Sequence, residues 1–294
     1  MSAAGDLAAV EGAVRKGEAA RWWSVRPAVA VAWAVLVLIG VAALWPGLLA
    51  GQAPDAADPL SPLAHPGSAH WFGTDQLGQD VYSRVVYGAR YSLAGGLGAT
   101  ALAVVTGSLL GVLAATSGRA VDELVMRLTD ILLAFPGLLL ALLVVAVLGP
   151  GTVNSTLAIS MSMVPGFVRL ARGQALVIRD SDYVQAARVL GRSRTSVLLR
   201  HVLPNALPPL LVLATVGIGS AVIAGSSLSF LGLGPQPPAP EWGAMLAQGR
   251  DLLDISWAPA VFPGAAVTLT VLAVNVVGRD LQRRFEGRPA DGRR

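Results

Sequence analysis

Cysteine is absent from the chain, and lysine occurs only once, as Lys16. Without cysteine there can be no disulfide, no thiolate nucleophile and no cysteine-ligated metal ion. Because Gly17 follows Lys16, the glycine, lysine and serine or threonine core of a phosphate-binding loop occurs nowhere in the sequence. If a nucleotide drives this protein, another chain must bind it.

Histidine is also scarce, and its three positions are His65, His70 and His201. Neither the H-E-x-x-H pattern of zinc enzymes nor the G-x-S-x-G pattern of serine hydrolases is present. His65 and His70 flank a Pro-Gly turn, so we expect both to be solvated loop residues. The sequence therefore predicts no metal site and no catalytic residue.

Charged residues make up only 14% of the chain, whereas hydrophobic residues make up 54% and the mean hydropathy is +0.61. This balance is typical of a membrane protein. The isoelectric point near 10.1 could suggest nucleic-acid binding. However, the basic residues cluster at the ends of apolar segments, which is how membrane topology is encoded, so we expect no nucleic-acid partner.

Apolar runs predict six transmembrane helices. The first, 28–45, follows a polar tail at 1–27, and we interpret it as an uncleaved anchor because a signal peptide has a shorter apolar run. Phe135-Pro136 should kink the third helix, and the polar fourth should be buried among the others. The five later spans are predicted at 92–116, 128–148, 153–170, 206–231 and 259–278.

Two further details of the spans concern small residues and acidic ones. Gly107 and Gly111 in the second span form a small-xxx-small pattern, which lets two helices approach closely. Asp122, Glu123 and Asp130 precede the third span beside Arg127, and local ion pairing is their expected role.

The distribution of positive charge predicts the orientation. If the amino terminus is cytoplasmic, 19 of the 22 basic residues lie on the inner side, and only Arg84, Arg90 and Arg250 lie outside. This asymmetry follows the positive-inside rule and places the tails at 1–27 and 281–294 in the cytoplasm. It places the polar loop at 181–205 there as well.

The loop at 181–205 is polar and basic in a mostly apolar sequence. We expect one short helix over 183–190, capped by Ser181 or Asp182 and ended by Gly191. A second should run over 195–202, with Ser193 as its cap and Pro204 as its end. The result would be two short helices at a sharp glycine turn.

One surface of this loop is suited to a partner. Ala186 and Ala187 have almost no side chain, so the helix backbone can lie close to another surface, and Arg188, Arg192, Arg194 and Arg200 surround it. The alternative is a solvated amphipathic loop without any partner.

Two outer segments are predicted, at 46–91 and 232–258. In the first, Leu77, Val81 and Val85 recur at helical spacing, which predicts an amphipathic helix on the membrane surface. In the second, repeated glycine and proline force the chain to turn away from the membrane.

Three motifs resemble the C-type permease subunits of ATP-binding-cassette importers for dipeptides, oligopeptides and nickel. The inner loop resembles their EAA coupling loop, with Gln185 in place of its glutamate. The segment GTDQLGQD resembles GTDxLGRD, with Gln79 in place of arginine. LSFLGLGPQPPAPEWG resembles LSFLGLGxQPPxPxWG, but Gly225 stands where the family usually has an acidic residue three positions earlier.

The resemblance implies an all-α integral membrane protein like a type I importer permease, with a core at 92–280, in the bacterial plasma membrane. It implies a homologous B-type permease, two ATPase subunits or domains that bind ATP and Mg²⁺, and an extracytoplasmic solute-binding protein as partners. The chain itself would not be an enzyme. The implied coupling residues are Tyr183, Gln185, Ala186, Ala187, Gly191, His201, Leu203 and Pro204.

Two more sets of site residues are expected. Contact with the binding protein is assigned to Asp75, Gln79, Asp80 and Trp242, although the outer segments could equally pack only on their own bundle. The solute pathway is assigned to Ser226, Ser227, Ser229 and Asn275, which could instead hydrogen-bond neighbouring helices.

The expected solute is a peptide, and nickel or another chelated solute is the alternative. An ion-coupled secondary carrier is a third hypothesis, but it would need ionisable residues within the membrane. The predicted spans have none except at their edges.

Overall fold

The computed structural model describes residues 27–286, so most of the two predicted tails lies outside the described residues. The side chains of Arg188 and Arg194 are likewise outside the part of the chain that the structure describes. Regular structure in the described range is helical. The helices are α1 (Pro27–Leu44), α2 (Val81–Thr116), α3 (Arg119–Leu133), α4 (Gly137–Leu148), α5 (Thr152–Arg179), α6 (Asp182–Val189), α7 (Arg194–Val197), α8 (Leu203–Phe230), α9 (Trp242–Arg250) and α10 (Ala258–Glu286).

The core forms where α2, α4, α5 and α8 meet. Small side chains permit this approach: a Cβ atom at Gly107 would lie 2.4 Å from the Cβ of Phe167, and one at Gly111 would lie 2.5 Å from the carbonyl oxygen of Val168. The predicted close helix packing at these glycines is therefore confirmed, and α5 is the partner helix. The buried side chains of the central cluster are Ala99, Ala141, Val145, Ala158, Ile159, Ala221 and Leu228.

Within residues 27–286, four helices are long and apolar enough to cross a membrane, namely α1, α2, α10 and the helix that ends at Phe230. The bent pair of α3 and α4 would make a fifth. Helix α5 has 28 residues, about 42 Å, but Arg169, Arg172 and Arg179 lower its hydropathy. Ser155 and Ser160 of α5 are buried, as its polarity predicts. The count of six spans remains a prediction.

The interruption predicted at Phe135-Pro136 is confirmed, and it divides the span expected at 128–148 between two helices. Helices α3 and α4 meet at an angle of 95°. Pro136 cannot donate a backbone hydrogen bond, and it disfavours helical backbone at Phe135. By contrast, α5 continues through Pro165 and α10 through Pro263.

The amphipathic surface helix predicted around Leu77, Val81 and Val85 does not form separately. Residue 81 instead begins α2, whose amino terminus is capped by the Asp80 carboxylate, 2.8 Å from the Ser83 amide nitrogen. Gly78 lies between Leu77 and this start with a φ of +74°, a left-handed conformation that ends any helix there.

Pro204 does not end the second helix of the inner loop, contrary to the prediction. A π-helical turn, Leu198–Val202, joins α7 directly to α8, and Pro204 lies in the first turn of α8. A proline is tolerated there because the first amides of a helix need no intrahelical acceptor, and the wider π turn leaves room for its ring.

Candidate functional site

Helix α6 follows α5 after a turn of two residues. The Ser181 hydroxyl donates to the carbonyl oxygen of Ile178 at 2.5 Å, so this side chain does not cap α6 as predicted. The Ser181 carbonyl instead accepts from the amides of Val184 and Gln185, both at 3.1 Å. Asp182 lies in the first turn, where a negative charge favours the helix amino terminus.

Gly191 ends this helix as predicted. Its φ is +79°, and the next amide, that of Arg192, donates to the carbonyl oxygen of Ala187 at 3.1 Å. This is the hydrogen bond of a Schellman motif, in which glycine avoids the strain of left-handed backbone. The turn sends the chain back towards the bundle.

Helix α6 has one buried face and one exposed face. Val184 is fully buried, and Ala187 is 8% exposed beside it. Ala187 therefore packs inward, and of the two alanines only Ala186 faces outward, which corrects the prediction. The buried cluster comprises Val112, Ala115, Ala175, Val184, Ala187, Val197 and Val202.

The exposed face ends in two apolar side chains that sequence reasoning missed. Val189 is 86% exposed and Leu190 is 83% exposed, while Gln185 and Ala186 are exposed next to them. Two consecutive apolar residues directly before the helix-ending Gly191 were the available signal. They cannot both face inward at the end of a short helix.

Hydrogen bonds and ring contacts hold α7 and the π-helical turn after it against α6. Ser193 caps α7 as predicted, because its Oγ accepts from the Ser196 amide at 3.3 Å. Asn205 donates through Nδ2 to the His201 carbonyl at 2.6 Å and to the Tyr183 hydroxyl at 3.4 Å. The rings of Tyr183 and His201 lie 6.1 Å apart.

Of the remaining predicted residues, Leu203 packs against the buried cluster and Pro204 is exposed.

The loop is also fastened to the inner ends of α2 and α5. Arg179 donates through Nη1 to the carbonyl oxygen of Ala115 at 2.8 Å. Val112 and Ala115 of α2 pack with Val184 and Ala187 of α6. A displacement of α6 must therefore displace the ends of two long helices, since close-packed groups move together.

On the outer side, the two motif segments pack against each other. A Cβ at Gly88 would lie 2.2 Å from the carbonyl oxygen of Pro240 and 2.8 Å from the Trp242 ring. The Trp242 indole donates to the Val85 carbonyl at 2.8 Å. Arg84 joins the segments, with Nη1 3.4 Å from Asp75 and Nη2 3.4 Å from the Gln248 side-chain oxygen.

The four residues assigned to contact with a binding protein are all buried within the chain, at exposures between 1% and 8%. Asp75 accepts from the amides of Leu77 and Gln79, both at 2.9 Å. Asp80 is the cap of α2, and Trp242 fills the space beside Gly88. The structure thus favours the alternative of packing on the chain's own bundle, because these side chains are not accessible to a second protein.

The histidines of the outer segment differ from each other. His65 is exposed, as predicted, but His70 is not a free loop residue, because its Nδ1 lies 3.0 Å from Asp80 Oδ1. Nearby, hydrogen bonds from the Leu60 amide and the Ser61 hydroxyl lower the pKa of Asp58 below its ordinary value. These bonds order the loop before α2.

A small cavity lies between the outer ends of α2, α5 and α8, with several serine and threonine residues in its wall. Its volume is about 20 Å³, roughly the room for one water. Ser226 and Ser229 line it, and the buried Ser226 hydroxyl has no hydrogen-bond partner among the described residues. Ser227 is partly buried, and its hydroxyl donates to the carbonyl oxygen of Ile223, while the Asn275 side chain donates to the carbonyl oxygen of Val271. Only two of the four predicted pathway residues therefore share a site.

Glu241 also lines this cavity, and sequence reasoning missed it. Its Oε1 accepts from the Ser92 hydroxyl at 3.0 Å, and its Oε2 accepts from the Ala244 amide at 2.9 Å, which caps α9. An acidic residue directly before Trp242, at the start of a helix, was the available signal.

The acidic residues before α4 form ion pairs, as predicted, although two of them reach another helix. Asp122 receives two hydrogen bonds from Arg172, and Asp130 lies 2.6 Å from Arg169 of α5. Glu123 pairs with Arg119 at 2.7 Å within α3. These pairs hold α3 against α5.

Comparison with known proteins adds independent findings. Residues 107–290 match the family described as binding-protein-dependent transport system inner membrane component. The chain is 45% identical over 250 residues to a probable D,D-dipeptide transport system permease protein of Escherichia coli strain K12, covering 84% of each chain. It is 42% identical over 255 residues to a glutathione transport system permease protein of Pectobacterium atrosepticum, covering 87% of this chain and 85% of that one.

The fold is similar to that of a solved structure, an inward-facing conformation of the MetNI methionine ABC transporter, with a TM-score of 0.54 at 20% identity. The match covers 69% of this chain and 95% of that one. The likeness shows the arrangement of the helices.

Proposed function

Because the chain belongs to the family of binding-protein-dependent transport system inner membrane components, we propose that it is a permease subunit that moves peptides inward across the plasma membrane. It is an all-α, multi-pass protein of that membrane. The observation that supports the coupling role is the exposed apolar end of α6, Val189 and Leu190, on a helix whose other face is packed into the bundle.

The proposed mechanism is alternating access. ATP-driven closure of two partner ATPase subunits or domains pushes on α6. Because α6 packs with the inner ends of α2 and α5, and because α7 continues into α8, the displacement reaches three long helices of the core. The ATP and Mg²⁺ stay in the partners, and this chain supplies the mechanical connection.

The other proposed partners follow from the same assignment. A homologous B-type permease would complete the membrane unit, and an extracytoplasmic solute-binding protein would deliver the solute. Exposed residues such as Trp71 and Leu60 would contact the solute-binding protein. The buried side chains beneath this surface would support it, namely Asp75, Gln79, Asp80 and Trp242.

Peptides are the favoured solute because curated relatives at 40–45% identity are named for dipeptide or glutathione transport. Nickel or another chelated solute remains the alternative, since the cavity residues Ser226 and Ser229 do not distinguish the two. An ion-coupled carrier is disfavoured by membership of a family that works with a binding protein.

The test uses matched leucines on opposite sides of the membrane. Leu190→Asp places a charge on the apolar end of α6, and Leu60→Asp alters a leucine that is 93% exposed in the outer segment. We expect Leu190→Asp to abolish retention of the ATPase subunits on the purified complex, and with it ATP-dependent peptide uptake. Leu60→Asp should retain the ATPase. Unchanged retention and uptake in Leu190→Asp would overturn the coupling role.

A further inference from the structure

The Ser226 hydroxyl differs from other hydroxyls of the bundle in its hydrogen bonding. Hydroxyls in these helices commonly donate to a carbonyl four residues earlier on the same helix, as those of Thr100 and Ser227 do at 2.8 Å. Ser226 is only 8% exposed, yet its hydroxyl forms no such bond and has no other partner among the described residues. A buried hydroxyl without a partner costs stability, so a ligand outside the chain is expected to satisfy it.

Glu241 is a second buried polar group in the same place. It is 3% exposed, and its bonds from the Ser92 hydroxyl and the Ala244 amide use one acceptor position on each carboxylate oxygen. An ionised carboxylate has about four acceptor positions, so it can receive at least one more hydrogen bond. In the part of the chain that the structure describes, Glu241 forms no ion pair. Its buried charge is therefore stabilised by hydrogen bonds, and a further donor would stabilise it more.

Ser226 and Glu241 line one cavity, the small one between the outer ends of α2, α5 and α8. A Cβ at Gly243, two residues after Glu241, would lie 2.3 Å from the Ser226 carbonyl oxygen, so α8 and the first turn of α9 are in direct contact. Tyr91 and Thr152 also line the cavity, and both are exposed. The cavity therefore lies near the outer surface, where water can reach it.

The size and the hydrogen-bonding groups of the cavity select its ligand. The volume is about 20 Å³. A buried water needs roughly 10–15 Å³ and two to four polar partners, so one water fits. A water can accept a hydrogen bond from Ser226 and donate one to Glu241 at the same time. A metal ion accepts no hydrogen bond, so it would leave the Ser226 proton without an acceptor.

We propose that an ordered water molecule occupies this cavity and bridges the Ser226 hydroxyl to the Glu241 carboxylate. Because Glu241 also accepts from Ser92 of α2 and caps α9, the water connects α8 to both helices at the outer end of the bundle. Ser226 thus contributes to the packing of the helices, which is the alternative to its predicted place in the solute pathway. The site does not depend on which solute the chain carries.

Two adjacent serines make the test possible. Ser226→Ala removes the hydroxyl in the cavity wall, and the matched control Ser227→Ala removes a hydroxyl that is bonded to its own helix. Both substitutions have the same intrinsic effect on helix stability, so the difference between them reports the surroundings of the two side chains. Thermal unfolding of the purified complex is measured for the parent chain and both variants, in sodium chloride and in choline chloride.

The sign of the difference decides the outcome. If the water is present, Ser226→Ala breaks the bridge and should unfold about 2 °C below Ser227→Ala in either salt. If nothing bridges the two residues, Ser226→Ala removes an unsatisfied hydroxyl and should unfold at the same temperature as the control or above it, which overturns the proposal. Stabilisation of the parent chain by sodium over choline, lost in Ser226→Ala, would indicate a bound cation and would also overturn it.

Electron cryomicroscopy of the assembled transporter, at a resolution that shows ordered waters, gives an independent check. A density peak within hydrogen-bonding distance of Ser226 Oγ and a Glu241 carboxylate oxygen is expected in the parent chain and in Ser227→Ala, and its loss is expected in Ser226→Ala. A map of the parent chain that shows other buried waters but no peak at this position would contradict the proposal.

Discussion

The Asn205 side chain reaches the Tyr183 hydroxyl at 3.4 Å, although 22 residues separate them in the sequence. The same amide donates to the His201 carbonyl at 2.6 Å. One side chain of α8 therefore connects α6 to the π-helical turn that follows α7. Since α6 has only eight residues, its orientation depends on such tertiary contacts and not on its own stability.

From these two hydrogen bonds we expect Asn205→Ala to weaken the coupling between ATP hydrolysis and peptide uptake more than Tyr183→Phe does. The alanine variant loses both hydrogen bonds, and a hydrogen bond of this kind contributes about 1 kcal/mol. The phenylalanine variant loses only the long bond and keeps the ring beside His201. We expect a several-fold lower ratio of peptide uptake to ATP hydrolysis for Asn205→Ala and a near-normal ratio for Tyr183→Phe, both measured in proteoliposomes. Equal ratios would contradict the prediction.

Gly191→Ala should also impair coupling, because Gly191 has a φ of +79° and a side chain there strains the backbone by about 1 kcal/mol. The space around its Cβ is open, so the effect comes from conformation and not from a clash. Gly173→Ala is the control, since that glycine lies inside α5 with equally open surroundings. Uptake per ATP hydrolysed should fall in the first variant only; a fall in both would point to a general effect of added side chains.

Gly88→Ala should loosen the outer segments. The new Cβ would meet the carbonyl oxygen of Pro240 at 2.2 Å, and relieving such a contact costs about 1–3 kcal/mol. Gly95→Ala is the control, because its nearest neighbour is 4.0 Å away. Limited proteolysis between residues 231 and 258 should be faster in Gly88→Ala than in Gly95→Ala. Identical digestion rates would argue against close packing at this contact.

Glu241→Ala should destabilise the outer end of the bundle. The variant loses the cap of α9, a change that costs about 0.5–2 kcal/mol, and it leaves the buried Ser92 hydroxyl without its acceptor. Glu123→Ala removes an exposed carboxylate and is the matched control. Thermal unfolding of the purified complex should begin at a lower temperature for Glu241→Ala only. An unchanged unfolding curve would mean that the carboxylate is dispensable.

Several local signals in the sequence were reliable, although the side-chain cap expected from Ser181 and the separate surface helix expected around Leu77 did not form. The break at Pro136, the turn at Gly191 and the cap at Ser193 were all predicted correctly, because each depends on one residue's backbone geometry or on a neighbour three positions away. The prediction failed at Pro204, where the helix continues. A proline's effect depends on whether its position falls in a first turn, and the π-helical turn before α8 was not visible in the pattern.

Composition, the apolar runs and three short motifs were enough to establish a membrane permease and to locate the segments that matter, because these properties belong to residues close together in the chain. The fold alone decided that Ala187 faces inward while Leu190 faces out, that Asp75 and Trp242 are buried, and that Glu241 meets Ser92. Such facts depend on contacts between residues far apart in the chain, 149 positions for Glu241 and Ser92 and 157 for Trp242 and Val85, and no local pattern specifies which helices will meet.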